Sequence, residues 1–156
     1  MADDRPGEWG KGRMKVLIAT DGSEAATAAC RMAARILQQD RDEVRLLTVL
    51  SYHLYPGSLV PGENAPGERE ATARVRDEVE RATHGGRVAL EQAGFGPTVA
   101  HRFGNPTDEI VAAAEEWQPD LIVLGRRGVG GLDRLLGSVS EHVVRHLKKT
   151  AVILVP

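Results

Sequence analysis

The chain has one cysteine and only two residues each of Trp, Tyr and Phe among its 156 residues, and it carries no apolar run of bilayer-spanning length. Each scarcity excludes something. Cys30 alone forms no internal disulfide, so the fold does not depend on an oxidising compartment. Without a long apolar run there is no membrane-spanning helix to expect. Neither sign of charge dominates: 20 Lys+Arg stand against 22 Asp+Glu, for a net charge of -2. That balance gives no electrostatic case for a nucleic-acid or membrane-surface partner. Met1 to Arg13 mixes charged residues and glycines around a lone Trp9. With no apolar h-region it reads as a flexible arm over 1–13, not a signal peptide. The length suits one domain over 14–156, expected to be soluble and cytoplasmic.

With so few aromatics the core must be aliphatic, and the aliphatics come in short continuous runs. Val16–Ala19, Val44–Leu50, Leu121–Leu124 and Ala151–Val155 are the clearest, and Thr98–Arg102 fits a weaker one. Continuous β-branched runs of this kind read as strands buried on both faces of a parallel sheet. Helical spacing fills the intervals. Ala25, Ala29, Met32, Ala33, Ile36 and Leu37 mark the buried face of a first helix. Val75, Val79, Ala82, Ala89 and Ala93 mark a second, stopped at Gly94, with Gly85-Gly86 predicting close packing or a kink. A third helix starts at the Asn105-Pro106 cap and runs to about Trp117. A fourth carries Val139, Val143 and Leu147. Strict β-α alternation predicts a doubly wound α/β fold with helices on both faces of one five-stranded parallel sheet. Tyr52–Gly67, rich in Pro and Gly, reads as an irregular loop.

The stretch from Gly125 to Ser140 leaves a buried strand, crosses a glycine-rich loop and enters a helix. Glycines let backbone amides approach phosphate oxygens, and a helix start adds unpaired N–H groups and a favourable dipole. Ser138 and Ser140 add hydroxyls. No Lys follows Gly137, so it is not a Walker loop, and the first strand-to-helix turn, Thr20-Asp21-Gly22-Ser23, is not a dinucleotide fingerprint. On residue types alone, a phosphate site and a plain surface loop are equally open.

Over residues 14–156 the sequence resembles the universal stress proteins in their small single-domain form. The resemblance rests on Val16 to Ser23, Val44 to Val49, Gly104-Asn105-Pro106, Asp120 to Gly125, Gly137 to His146 and Val152 to Val155. ATP-binding members carry G-x2-G-x9-G-[ST]. Here Gly125, Gly128 and Gly137-Ser138 match, with eight residues, Val129 to Leu136, in place of nine. The resemblance implies strand order 3-2-1-4-5 and ATP, with or without magnesium, between the ends of strands 1 and 4. It implies a nucleotide site of Ala19, Thr20, Asp21, Val49, Gly125, Gly128, Gly137, Ser138, Val139 and Ser140. It also implies a homodimer through edge strand 151–155, and protein partners that it does not identify. The alternative is a member that does not bind ATP and acts as a dimeric interaction module.

Individual residues carry two readings. Asp21 sits beside the nucleotide by resemblance, and Asp21-x-x-Glu24 also reads as a capping box for the first helix. Val49 and Ala19 are pocket-wall positions by resemblance, and plain core residues otherwise. His142 and His146 have metal-holding spacing, but His146 falls in line with Val139 and Val143 and no Cys or third His joins them. A packed histidine is therefore expected, and no metal. No nucleophile elbow or Cys–His pair is present, so no catalytic residue is expected and at most weak ATP hydrolysis.

Overall fold

The computed structural model describes residues 12–51, 68–126 and 138–156. The expected arm, up to residue 11, and the Tyr52–Gly67 loop lie outside the described residues, as do Gly128 and Gly137. Among the described residues nine elements alternate strictly: β1 (Lys15–Ala19), α1 (Glu24–Ile36), β2 (Glu43–Leu50), α2 (Glu68–Gln92), β3 (Thr98–Phe103), α3 (Pro106–Trp117), β4 (Leu121–Gly125), α4 (Ser138–His146) and β5 (Ala151–Val155). The five strands form one sheet in the order β3-β2-β1-β4-β5, with every neighbouring pair parallel. The expected fold is therefore the observed one.

The continuous apolar runs are explained by cover on both faces. Val16, Ile18, Val44, Leu46, Leu121 and Val123 point into a core closed by α1 and α2, through Ala29, Cys30, Ala33 and Leu90. Leu17, Leu47, Ile122 and Leu124 point the other way, onto Ile110, Ala113 and Ala114 of α3 and Val143 of α4. No strand in the middle of such a sheet has a wet face, so alternation never develops.

The α1–α2 packing is close, and glycine is what allows it. A Cβ on Gly85 would stand 2.9 Å from Thr27 Oγ1, and one on Gly86 would stand 2.6 Å from Cys30 Sγ. The paired glycines thus give close packing, as expected. The buried stripe of α1 is Ala26, Ala29, Cys30 and Ala33, continued by Leu37 just beyond the helix. Met32 and Ile36, expected inside, are 36% and 47% exposed. The buried stripe is thus built of small residues, and Met32 and Ile36 are turned outward.

Capping also differs in one detail. Ser23, not Asp21, is the N-cap of α1, its hydroxyl accepting from Ala26 N at 3.2 Å. Asp21 Oδ1 accepts instead from Ser23 N at 2.9 Å, and Gly22 takes φ +80°, so a side-chain turn precedes the cap. For α3 the expected cap holds: Asn105 Oδ1 accepts from Thr107 N at 2.9 Å, with Pro106 in the first turn.

Candidate nucleotide cleft at the strand crossover

The chain reverses winding direction at β1: β2 and β3 lie on one side, β4 and β5 on the other. In open α/β sheets the crevice at the carboxyl end of that reversal is where ligands bind, because the outgoing loops diverge there. A cleft of about 270 Å³ opens at this point. Its deep part is apolar, with Ala19, Ala26, Leu47, Val49, Ile110 and Leu124. Its polar lining is Asp21 and Ser23 before α1 and Ser138 and the buried Ser140 in the first turn of α4. The starts of α1 and α4 therefore both reach it, and each contributes N–H groups that no carbonyl of its own helix satisfies.

Of the site residues expected from sequence, Ala19, Thr20, Asp21, Val49, Gly125, Ser138, Val139 and Ser140 all line this cleft. Gly128 and Gly137 lie outside the described residues. Missed by sequence reasoning were Ser23, Ala26, Leu47, Pro106, Ile110 and Leu124. Leu47 and Leu124 have a sequence signal, since each sits at the carboxyl half of a buried run. Ser23, Ala26, Pro106 and Ile110 reach the cleft only through the packing of α1 and α3 over the sheet.

Two expected residues have structural duties that define what they can do. Thr20 is 5% exposed. Its hydroxyl donates to Ala82 O at 2.9 Å and accepts from Gly22 N at 3.3 Å, while its own N–H donates to Leu47 O at 2.8 Å. It ties the β1–α1 turn to α2, so its contribution to the cleft is the shape of that turn. Gly125 is required by packing. A Cβ there would lie 2.5 Å from the carbonyl carbon and oxygen of Ala25 and 2.8 Å from Ala26 N. Only glycine lets the end of β4 touch the first turn of α1. The close approach that shapes the cleft thus needs no ligand to explain it.

The histidines of α4 depart from expectation. His146 is exposed, and His142 is partly so. The buried positions of this short helix are Ser140 and Val143. His146 Nδ1 lies 2.8 Å from His142 O and the two rings stack at 3.9 Å, which holds both on the outer face. Cys30 matches expectation: it is fully buried, and desolvation pushes its thiol up to about 12, with nearby Arg31 opposing only partly. Such a thiol is inert.

A family model, that of the universal stress protein family, matches residues 12–156. The chain belongs to this family. A curated universal stress protein of Methanocaldococcus jannaschii, MJ0531, is 33% identical over 134 residues, covering 85% of this chain and 76% of its own length. The solved structure of a second protein with a name of that series, MJ0577, is 29% identical with a TM-score of 0.71, covering 91% of this chain and 94% of its own. A universal stress protein solved in complex with cAMP is 24% identical with a TM-score of 0.63, covering 92% and 97%, and shows the shared fold. Among the described residues no helix is long and apolar enough to cross a membrane.

Proposed function

We infer that this universal stress protein binds an adenine nucleotide, ATP in the first instance, in the cleft between the carboxyl ends of β1 and β4. The observation that carries the reading is the cleft's two-part wall: an apolar floor beside two helix starts and their hydroxyl-bearing residues. An apolar slot suits a purine ring, and helix N-termini suit phosphates. A volume of about 270 Å³ is near the lower end for small-molecule pockets, ~300 Å³. It suits a nucleoside more than a whole triphosphate, so the phosphates fall to the α4 start. The cAMP bound by a protein of the same fold is a property of that protein, and the reading here rests on the cleft.

Asp21 is the carboxylate at the rim. It is suited to a ribose hydroxyl or a phosphate-bound magnesium, with one oxygen already oriented by Ser23 N. Among the described residues that line the cleft no His, Lys or Cys accompanies it, so the role read here is binding, with at most slow hydrolysis. The nucleotide then serves as a ligand that reports or stabilises a state of the protein. A homodimer through β5, which forms the sheet edge beyond β4, completes the proposal.

The test is to denature protein purified without added nucleotide, identify any released nucleotide by mass, and titrate stripped protein with ATP and magnesium. A Ser138→Ala variant belongs beside it, because Gly125 variants would disturb α1. Losing one hydrogen bond to a charged phosphate costs about 1.5–3 kcal/mol, or roughly 10- to 100-fold in affinity. No released nucleotide, and no binding at millimolar ATP, would leave the dimeric interaction module as the function.

A further inference from the structure

We propose that the cavity between α3 and strands β2 and β3 is a second binding site, for a small organic molecule bearing one carboxylate, which the guanidinium of Arg45 receives beside the ring of Trp117. The cavity measures about 340 Å³, larger than the cleft at the strand crossover. It lies on the α3 face of the sheet, and Leu47 is the lining residue that the two share. Ala100 of β3 and Ala113 of α3 present only methyl groups to it, which leaves room between strands and helix. Its charged residues are Arg45, Arg102 and Glu116.

The two arginines are in opposite states. Arg102 is fully committed: Nε donates to Glu109 Oε2 at 2.6 Å, and Nη1 and Nη2 donate to the two oxygens of Glu116 at 2.9 and 3.1 Å. Glu116 therefore has its partner already. Arg45 is held in place by a ring alone, its Cζ standing over Trp117 at 4.2 Å from the centroid. Among the described residues neither a carboxylate nor a hydrogen-bond acceptor engages its guanidinium. Contact with a ring leaves all five N–H donors to other acceptors. The ring is itself fixed, since Lys15 Nζ donates to Trp117 O at 2.8 Å and lies 5.1 Å from the centroid. Arg45 is half-buried, in register with Leu17 and on the face of β2 that carries Leu47. A cation at such a position costs more than the aliphatic residue that the strand pattern calls for, unless an acceptor pairs with it.

These features select the ligand. A guanidinium offers parallel N–H groups that match the two oxygens of a carboxylate, and the ring beside it restricts it beforehand. One uncommitted guanidinium balances one charge, and the nearby Glu116 opposes a second, so a monocarboxylate fits better than a phosphate dianion. Half-buried Ala100 and Trp117 give an apolar body a surface to lie against. Arg102 gives up none of its contacts when the ligand enters. The site does not depend on the crossover cleft holding a nucleotide.

Titration of the full chain with benzoate, followed by the amide and indole signals in NMR, tests it, with benzamide as the uncharged probe of the same shape. Benzoate should shift the Trp117 indole and the Arg45 and Ala100 amides saturably, with a dissociation constant on the order of 1 mM, and leave Ala19 and Ser140 unmoved. Benzamide should shift none of them. Arg45→Met, which keeps an unbranched stem beside the ring, should weaken binding at least about tenfold, the loss of a charged hydrogen-bonded pair, and Arg45→Lys severalfold. Arg145→Met on α4 should leave it unchanged. Circular dichroism checks the fold of each variant, and Arg45→Lys decides if Arg45→Met does not fold. No saturable shift at roughly 50 mM benzoate would overturn the site. So would binding to the folded Arg45 variants within twofold of the wild type, or benzamide binding as well as benzoate. Inorganic phosphate binding more tightly than benzoate would overturn the carboxylate assignment.

Discussion

Gly125→Ala should destabilise the protein markedly although the added group is one methyl. The new Cβ would stand 2.5 Å from the Ala25 carbonyl and 2.8 Å from Ala26 N. Normal carbon contacts begin near 3.5 Å, so roughly 1 Å of separation must be found. All three obstructing atoms are backbone, and no flexible side chain can swing aside. Either α1 lifts off the end of β4 or the strand bends, which uncovers part of the core held by Ala29, Cys30 and Ala33. Overpacking costs about 1–3 kcal/mol, and this site lies at the upper end because nothing soft surrounds it. At about 2–4 °C per kcal/mol for a chain of this size, a cost of ~3 kcal/mol lowers the melting temperature by roughly 6–12 °C. Urea unfolding followed by far-ultraviolet circular dichroism measures it, with Gly96→Ala as the control. A Cβ on Gly96 meets nothing within 4 Å. If Gly125→Ala stays within about 0.5 kcal/mol of the wild type, the ordinary range of surface substitutions, then β4 and α1 are not in the contact described.

Gly86→Ala should also destabilise, since its Cβ would fall 2.6 Å from Cys30 Sγ and outweigh a helix-propensity gain of about 1 kcal/mol. Adding Cys30→Ala removes the obstructing sulfur, so the double variant should be more stable than the sum of the single effects, as a double-mutant cycle would show. Cys30 should react with a disulfide reagent at pH 8 only when denaturant is added, because burial pushes its thiol up to about 12. Rapid labelling of the native protein would contradict that burial. Glu116 is held below the usual carboxylate range, first by its hydrogen bond from Arg102 and then by that cation's charge. A carboxyl whose folded pKa is depressed adds stability above its unfolded value, near 4.5, and loses it as pH falls through the folded value. The stability difference between wild type and Glu116→Gln should therefore be present at neutral pH, start to shrink as pH falls below about 4.5 and be gone once the folded value is passed, a titration that acid unfolding curves would reveal.

The sheet was legible because each central strand is covered on both faces, which turns position in the fold into an unbroken apolar run. Helix α3 was legible because its cap is local: Asn105 and Pro106 act within one turn. What escaped depends on distances between elements. Nothing in the sequence around Met32 and Ile36 tells that the buried stripe of α1 is the narrow one at Ala26, Ala29, Cys30 and Ala33. The close contacts of α1 are set far along the chain, by Gly85 and Gly86 on the α2 side and Gly125 at the end of β4. Asp21-x-x-Glu24 has the spacing of a capping box, yet Gly22 at φ +80° spends the aspartate on a turn and hands the cap to Ser23. His146 fell on an apparent apolar stripe, but α4 buries only a narrow strip at Ser140 and Val143, and the ring stacks outside on His142. The cleft was half legible. Its strand-end residues follow from topology, whereas Ser23, Ala26, Pro106 and Ile110 arrive from helices packed across the sheet.

The most direct test of the nucleotide reading is an amide chemical-shift titration of the stripped protein with ATP and magnesium. The account predicts saturable shifts concentrated at Ala19, Asp21, Val49, Gly125 and Ser140, around the carboxyl ends of β1 and β4, with the far ends of the strands near Lys15 and Leu121 unmoved. Shifts clustered elsewhere, or none at millimolar ATP, would contradict it.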